Sequence, residues 1–572
     1  MAMDSTTVGD GMLEIFRCYG VEYIFSSPGS EWAPVWDALA KAKASGSGPT
    51  FINTRHEGLA VSLATGYYYR SGKLPIVLLH AGVGPLHAAM ELRSAFREQI
   101  PMVVLSGESA GYGEMPGPDP GSQWVRVLGD VGGTAALVRP IVKWANTVTS
   151  CEVLLGMLQD ACRQALTHPA GPVFLSIPLE FMHGECAPTA FRCAPPLTAT
   201  YADPPALEDV ARLLLEAKRP VLLTEYAGRD PQNVGPLVEL AETLALPVIE
   251  ALAPAFMNFP RDHGLHQGFD ARELLSEADL VLLVADRVPW YPPSKRPTDA
   301  RIILIDENPS HSLSPYWAFG VDAVVGGQLA SSLRRLIREV SRLKDASGHL
   351  EREREERRAK LMDRHLRLRE GLRSQALALA KRRPMNAVWA TQVVGEALPA
   401  DALVLEETVT HKGAILRHVP RSSPGTYYGR STGGLGVGLG VAMGLKMAEP
   451  NRLVVAFIGD GSFNYNPVPA AFGFAQQFGA PIFVVLMNNG SYAAMKRSHL
   501  EYYPEGWSVR TDTFFGAEIE PRPDYVALAR AFGGYGEQVE DPEDLPAAVA
   551  RALERVETGQ LTLLDLVVDP QM

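Results

Sequence analysis

The chain has 572 residues, 46% of them hydrophobic and 21% charged, with a formal net charge of −12. That length suggests three domains of ordinary size, and the acidic balance argues against a nucleic-acid surface and against an anionic membrane. Five cysteines (Cys18, Cys151, Cys162, Cys186 and Cys193) are few, odd in number and without metal-ligand spacing, which predicts reduced thiols in a cytoplasmic protein. No run approaches eighteen apolar residues, and the polar start lacks a signal-peptide core, so neither a membrane span nor a leader is expected.

Residues from about 5 to 185 alternate amphipathic helices with short apolar runs at Val21–Phe25, Pro75–Leu79, Pro101–Leu105 and Pro172–Ile177, the pattern of a parallel α/β sheet. The Pro- and Thr-rich stretch Cys193–Pro205 reads as a linker. A second α/β unit follows, with strands predicted at Pro220–Leu223, Pro247–Glu250, Leu280–Val284 and Arg301–Ile305. Residues 343–383 are dense in Arg, Lys and Glu with apolar positions at helical spacing, which predicts a long connecting helix whose charges are solvated. A third α/β unit begins near 386, with strands at Ala402–Leu405, Arg452–Ile458, Pro481–Met487 and Thr562–Val567. The fold class is therefore α/β, with three successive doubly wound parallel sheets over 1–190, 205–342 and 386–572 and a linker helix over 343–385.

Two of those strands end on polar motifs. Gly459-Asp460-Gly461-Ser462 follows the first and Asn488-Asn489-Gly490-Ser491 the second, so Asp460 and Asn489 stand where open α/β sheets bind ligands. A carboxylate, an amide oxygen and a backbone carbonyl are hard donors that suit Mg²⁺ holding a diphosphate. Asp460 alone reads equally as a helix N-cap; the pairing of two such motifs, each after a strand, favours the cation.

This pairing resembles the thiamine-diphosphate signature. Over nearly its whole length the chain is similar to the acetolactate synthase, benzoylformate decarboxylase and pyruvate oxidase superfamily. Ser27-Pro28-Gly29-Ser30, Pro424-Gly425-Thr426-Tyr427-Tyr428, Gly433-Gly434-Leu435-Gly436 and Asn488-Asn489-Gly490-Ser491-Tyr492 look most like benzoylformate decarboxylase. The resemblance implies pyrimidine-binding, central and diphosphate-binding domains in that order. It also implies a homodimer or homotetramer whose cofactor lies between subunits, and metal ligands at Asp460, Asn489 and the Ser491 carbonyl. Glu57, in Thr54-Arg55-His56-Glu57-Gly58, matches the glutamate that shares a proton with the cofactor's pyrimidine and so promotes loss of the thiazolium C2 proton; a surface glutamate at a helix start is the ordinary alternative. Leu435 falls at the apolar wedge under the bent cofactor and the Gly433 carbonyl at its amino group. The resemblance further implies Thr408, Thr410 and Ser462 as hydroxyl donors to the diphosphate, with Gly461 and Tyr492 among the cofactor-binding residues.

On the substrate side, Ser30 and His80 match polar residues that contact substrate in benzoylformate decarboxylase, and His411 falls where acetolactate synthases carry a histidine. For either histidine a satisfied core residue is the alternative. The chain also departs from these patterns. Asp286–Pro292 holds no histidine where the decarboxylase has one, and Met495 replaces the glutamate that pyruvate decarboxylases place six residues after the metal-binding Asn. Met495, Tyr492 and Trp290 suggest a partly apolar pocket wall, although Trp290 reads as well as core. These departures tilt the expectation from simple aldehyde release toward capture of a second carbonyl compound. The activity implied is thiamine-diphosphate- and Mg²⁺-dependent making or breaking of a C–C bond in a 2-oxo acid. A 2-hydroxyacyl or 2-hydroxyacyl-CoA lyase and a non-catalytic cofactor-binding paralogue are the alternatives. FAD, which some of these families hold in the central domain, finds no convincing motif in 200–340; Asp306-Glu307-Asn308 after a strand is the one feature that could meet a ribose.

Overall fold

A computed structural model of the chain describes residues 7–108, 132–183, 194, 199–251, 254–312, 317, 319–343, 349–429 and 433–570. The chain forms two compact units, one from Met1–Thr198, Gly434–Pro450 and Asn466–Ala480, the other from Ala199–Gly433, Asn451–Tyr465 and Pro481–Met572. In the first unit a six-stranded parallel sheet contains β1 (Tyr23–Ser27), β2 (Thr50–Asn53), β3 (Ile76–Leu79), β4 (Met102–Glu108), β5 (Trp144–Thr147) and β6 (Pro172–Pro178), in the order β2-β1-β3-β4-β6-β5. Its register sets Ser27 opposite Leu79 and Leu79 opposite Ser106, so the residues that follow β1, β3 and β4 emerge side by side at one edge. Helices Val8–Cys18 and Cys151–Leu166 pack on the sheet through Phe16, Leu154 and Leu158. The first of them opens on a capping box, Thr7 with Asp10, that satisfies two of its free amides.

The second unit holds two parallel sheets. One contains β7 (Pro220–Thr224), β8 (Val248–Ile249), β9 (Leu280–Val284), β10 (Arg301–Asp306) and β11 (Ala323–Gly326), ordered β11-β10-β9-β7-β8. The other contains β12 (Leu403–Glu407), β13 (Tyr427–Gly429), β14 (Val454–Gly459), β15 (Phe483–Asn488), β16 (Tyr535–Val539) and β17 (Thr562–Val567), ordered β13-β12-β14-β15-β17-β16. Gly459 pairs with Met487, which places the Gly459-Asp460 and Asn488-Asn489 motifs on neighbouring strand ends.

All twelve strands expected from apolar runs are present, two with the expected bounds and the others with ends shifted by up to three residues. Five others were not expected: β2, β5, β11, β13 and β16, and each is the edge strand of its sheet. An edge strand is covered on fewer sides and needs no continuous apolar run. Four of the five mix exposed or half-buried positions with buried ones, and the buried β13 is three residues long.

Two expectations are corrected. The connecting helix, observed over His349–Ala378, is not simply solvated. Arg357 donates to the carbonyls of Ala245, Leu244 and Lys218 at 2.9, 2.6 and 2.9 Å, and His365 Nδ1 sits 2.7 Å from the His266 carbonyl oxygen. Its arginines thus saturate carbonyls at the ends of helix Val234–Leu244 and near β7. The cysteines are not all free thiols: Cys18 and Cys151 are each disulfide-bonded, and Cys162 is a free, fully buried thiol. Sequence spacing reports metal motifs but not which distant cysteines folding brings together. Cys186 and Cys193 lie outside the described residues. Among the described residues no helix is long and apolar enough to cross a membrane.

Candidate active site

In the first unit the edge formed after β1, β3 and β4 gathers Ser30, His80 and, at the start of the next helix, Glu57. Ser30 is exposed and opens a single 3₁₀ turn, Ser30–Trp32, directly after β1. His80 ends β3. Its Nδ1 lies 2.8 and 3.0 Å from the two carboxylate oxygens of Glu31, and Glu31 also accepts the Ala81 amide at 2.8 Å. The Glu31 side chain is 1% exposed and that of His80 23%, so a buried carboxylate orients a histidine that still reaches solvent. Because Nδ1 faces an acceptor, the neutral ring carries its proton there and its lone pair on Nε2. The pair fits only because two neighbours lack side chains. A Cβ on Gly29 would stand 1.8 Å from His80 Nδ1, and one on Gly107 2.0 Å from Glu31 Cγ. Glu31, which orients His80, is the residue of this cluster that the sequence reading missed. Its signal was present: an acid next to Ser30, in a turn directly after a buried strand.

Glu57 is the first residue of helix Glu57–Ser71, which is capped by His56 through Nδ1 accepting the Gly58 amide at 3.1 Å. Its Oε2 lies 3.2 Å from His87 Nδ1, and its side chain is 16% exposed. His87 in turn stacks on His56 with ring centroids 5.9 Å apart. Burial holds the His56 imidazole below its ordinary value, with Glu57 pulling the other way. The helix itself is fixed by close packing on helix Gly438–Ala448: a Cβ on Gly66 would meet the Val441 carbonyl oxygen at 2.0 Å, and one on Gly444 the Leu63 carbonyl oxygen at 2.2 Å. Leu435, just before that second helix, is half-buried.

In the second unit the two strand-end motifs close on each other. Asp460 is buried; its Oδ1 accepts the Gly461 amide at 2.9 Å and its Oδ2 the Gly490 amide at 2.7 Å. Burial raises its carboxyl to about 6, against the pull of those two amides. Asn489 Oδ1 accepts the Ser491 amide at 3.1 Å, and Asn488 is anchored by donating to Asp565 at 2.8 Å. Tyr492 lies over Gly461, where a Cβ would meet its ring carbons at 2.8 Å, and Ser462 is buried in the short helix Asp460–Tyr465. Thr408 is buried with its hydroxyl already donating to Glu406 Oε1 at 2.6 Å, so contact with a diphosphate requires exchanging that bond. Thr410 is half-buried beside it, and Gly433 adopts a left-handed φ of 72° with open space around it. His411 is buried, its Nε2 has no hydrogen-bond partner among the described residues, and burial lowers its imidazole to about 4.

The anticipated apolar wall is not gathered in one place. Trp290 packs in the core of the β7–β11 sheet against Phe319 and lines a cavity of about 580 Å³ that neither Tyr492 nor Met495 lines. Met495 is 54% exposed on helix Ala493–Tyr502.

The chemistry of the candidate donors, the Asp460 carboxylate, the Asn489 amide oxygen and the Ser491 carbonyl, is all-oxygen with one carboxylate and fits Mg²⁺. Among the described residues no cluster of three His, Cys, Asp or Glu offers a competing site. A dication held by one carboxylate keeps positive charge for an anionic diphosphate.

The sequence matches three thiamine pyrophosphate enzyme family models: the N-terminal TPP binding domain over residues 6–117, the central domain over 207–336 and the C-terminal TPP binding domain over 407–566. The chain belongs to this family. It is a thiamine-diphosphate-dependent enzyme of the decarboxylase and carboligase class. It is similar to benzoylformate decarboxylase of Pseudomonas aeruginosa, at 26% identity with 96% of each chain covered. It is also similar to the acetolactate synthase isozyme 3 large subunit of Escherichia coli, at 26% over 96% of this chain and 92% of that one. Sulfoacetaldehyde acetyltransferase of Rhodobacter capsulatus is 25% identical, with 99% and 95% covered. Among solved structures, benzoylformate decarboxylase of Polynucleobacter necessarius superposes with a TM-score of 0.79 at 21% identity, covering 99% of each chain. A 4-hydroxybenzoylformate decarboxylase of Rhodococcus jostii gives 0.76 at 23%, covering 98% and 99%. At these identities the superpositions speak for the fold alone.

Proposed function

We propose that this enzyme decarboxylates a 2-oxo acid, using thiamine diphosphate held through Mg²⁺. The observation that carries this reading is the His80–Glu31 pair, an oriented imidazole at the strand edge that also bears Ser30 and leads to Glu57. Loss of CO₂ from a 2-oxo acid leaves a carbon that must take up a proton to become an aldehyde. A histidine whose Nδ1–H is held by a buried carboxylate can carry that proton on Nε2, and Glu31 stabilises the imidazolium while it does so. Ser30, exposed on the adjacent turn, is available to orient the substrate carboxylate. Glu57 holds the proton exchanged with the cofactor. Asp460, Asn489 and the Ser491 carbonyl hold the cation, with Ser462 and Gly461 beside the diphosphate. Bound thiamine diphosphate supplies the electron sink, and the protein supplies orientation and electrostatics.

A second reading, carboligation, is favoured by one specific feature: Asp286–Pro292 and Met495 offer no histidine or glutamate as a second proton donor. The decarboxylated fragment then joins an acceptor carbonyl. Product analysis with thiamine diphosphate and Mg²⁺ separates the two. Aliphatic and aromatic 2-oxo acids are offered with and without an acceptor aldehyde. CO₂ with free aldehyde supports decarboxylation, and a 2-hydroxyketone supports carboligation. No turnover of any 2-oxo acid would reject both and turn the search to hydroxyacyl compounds.

A further inference from the structure

A cavity of about 620 Å³ lies in the second unit between the segment after β8, the connecting helix His349–Ala378 and helix Lys412–His418. Six arginines line it: Arg261, Arg272, Arg364, Arg367, Arg369 and Arg417. Two acids, Asp270 and Glu273, are the carboxylates among its lining residues. In a chain of net charge −12 this is a local reversal of sign, and gathering like charges around one space costs free energy unless an anion offsets it.

The charges are not all neutralised from within. Arg272 pairs with Asp270 at 2.5 Å, Arg364 with Glu273 at 2.7 Å, Arg367 with Asp363 at 2.6 Å, and Arg261 with Glu250 at 2.9 Å. Arg369 and Arg417 form no ion pair among the described residues. Arg369 donates instead to the Arg417 carbonyl at 2.9 Å, which sets the two side by side, and Arg417 donates weakly to the Gly413 carbonyl at 3.4 Å. Burial holds the Arg369 guanidinium below its ordinary value, with Asp262 pulling upward. Arg261, fully buried at the cavity wall, leaves its Nη1 without a hydrogen-bond partner among the described residues. The rest of the lining sets the polar His266 and Gln267, with Gly268, beside an apolar part made by Phe269, Leu368 and Leu372. Guanidinium groups recognise carboxylate and phosphate through paired N–H donors, and the volume is that of a small-molecule site.

We propose that this cavity binds an organic anion, one carboxylate or phosphate on a body about the size of a phenyl ring, with Arg369 and Arg417 on the anionic group and Phe269, Leu368 and Leu372 on the apolar part. None of these residues belongs to the cofactor or substrate half-sites described above, so the cavity is a separate binding site.

Calorimetric titration of the full chain loaded with thiamine diphosphate tests it, using phenyl phosphate and, separately, phenylacetate. The wild type is compared with Arg417→Gln and with Leu368→Glu, which sets a negative charge on the apolar wall. Both positions are exposed, and matching melting temperatures establish that the variants fold. Saturable binding of either probe, weakened about tenfold or more in both variants, is the expected result; the tighter probe tells phosphate from carboxylate. Absence of saturable binding by both probes overturns the proposal, and so does undiminished affinity in either variant, which would place the bound probe elsewhere.

Discussion

The two candidate half-sites are built on opposite principles. Around Asp460 the polar atoms are tied to backbone amides: Gly461 and Gly490 hold the carboxylate, and Ser491 holds Asn489. Around Glu57 and His80 the partners are other titratable side chains, Glu31, His56 and His87, and both residues keep some solvent access. The first arrangement suits holding a fixed charge, since backbone donors do not change protonation. The second suits moving protons, since each group can pass its charge to a neighbour.

Mutations that separate binding from proton transfer would sharpen this contrast, and mutations that fail to would break it. The largest effect is expected for Glu57→Gln: cofactor affinity stays while hydrogen–deuterium exchange at thiamine C2 slows by about 10²–10⁴-fold. Unchanged exchange, followed by NMR, would remove Glu57 from its role. Asp460→Ala should do the reverse and weaken Mg²⁺-dependent retention of thiamine diphosphate by on the order of a hundredfold; a variant that purifies with full cofactor contradicts the cation site. Glu31→Gln keeps shape but removes charge, and should lower turnover of the preferred 2-oxo acid by about 10–100-fold with cofactor affinity intact. Equal turnover would reduce Glu31 to packing.

The smallest effect concerns stability. Burial lowers the His411 imidazole to about 4 in the folded chain, below its unfolded value, so its contribution is fully present above about pH 6.5 and is lost as pH falls through 4. At pH 5 the loss amounts to about 2 kcal/mol. Urea denaturation of His411→Gln at pH 7 and pH 5 should show a correspondingly shallower fall than wild type; identical falls would show that His411 charges freely in the native state.

The same contrast explains what the sequence revealed. The Asp460 motif pair stood out in the sequence because its candidate ligands are local. Each motif lies at the end of one apolar strand, and β14 and β15 pair directly. The Glu31–His80 pair was not legible, because it joins the turn after β1 to the end of β3, 49 positions apart, and buries an acid that composition would assign to the surface. Central strands announced themselves by continuous apolar runs, whereas β2, β5, β11, β13 and β16 at the edges did not. Trp290 misled for a related reason: an aromatic next to prolines fits a pocket wall and a core equally, and here it packs in the core while also lining a cavity that Met495 does not share.

The glycine contact between helices Glu57–Ser71 and Gly438–Ala448 has a consequence for how this enzyme can change over generations. Gly66 lies nine residues from Glu57 along one rigid helix, about 13 Å at 1.5 Å per residue, and an added methyl there collides with backbone that has no rotamer to yield. The helix would have to shift as a body and carry its first residue with it. Drift at Gly66 or Gly444 is therefore judged by selection as though it were a change at Glu57 itself.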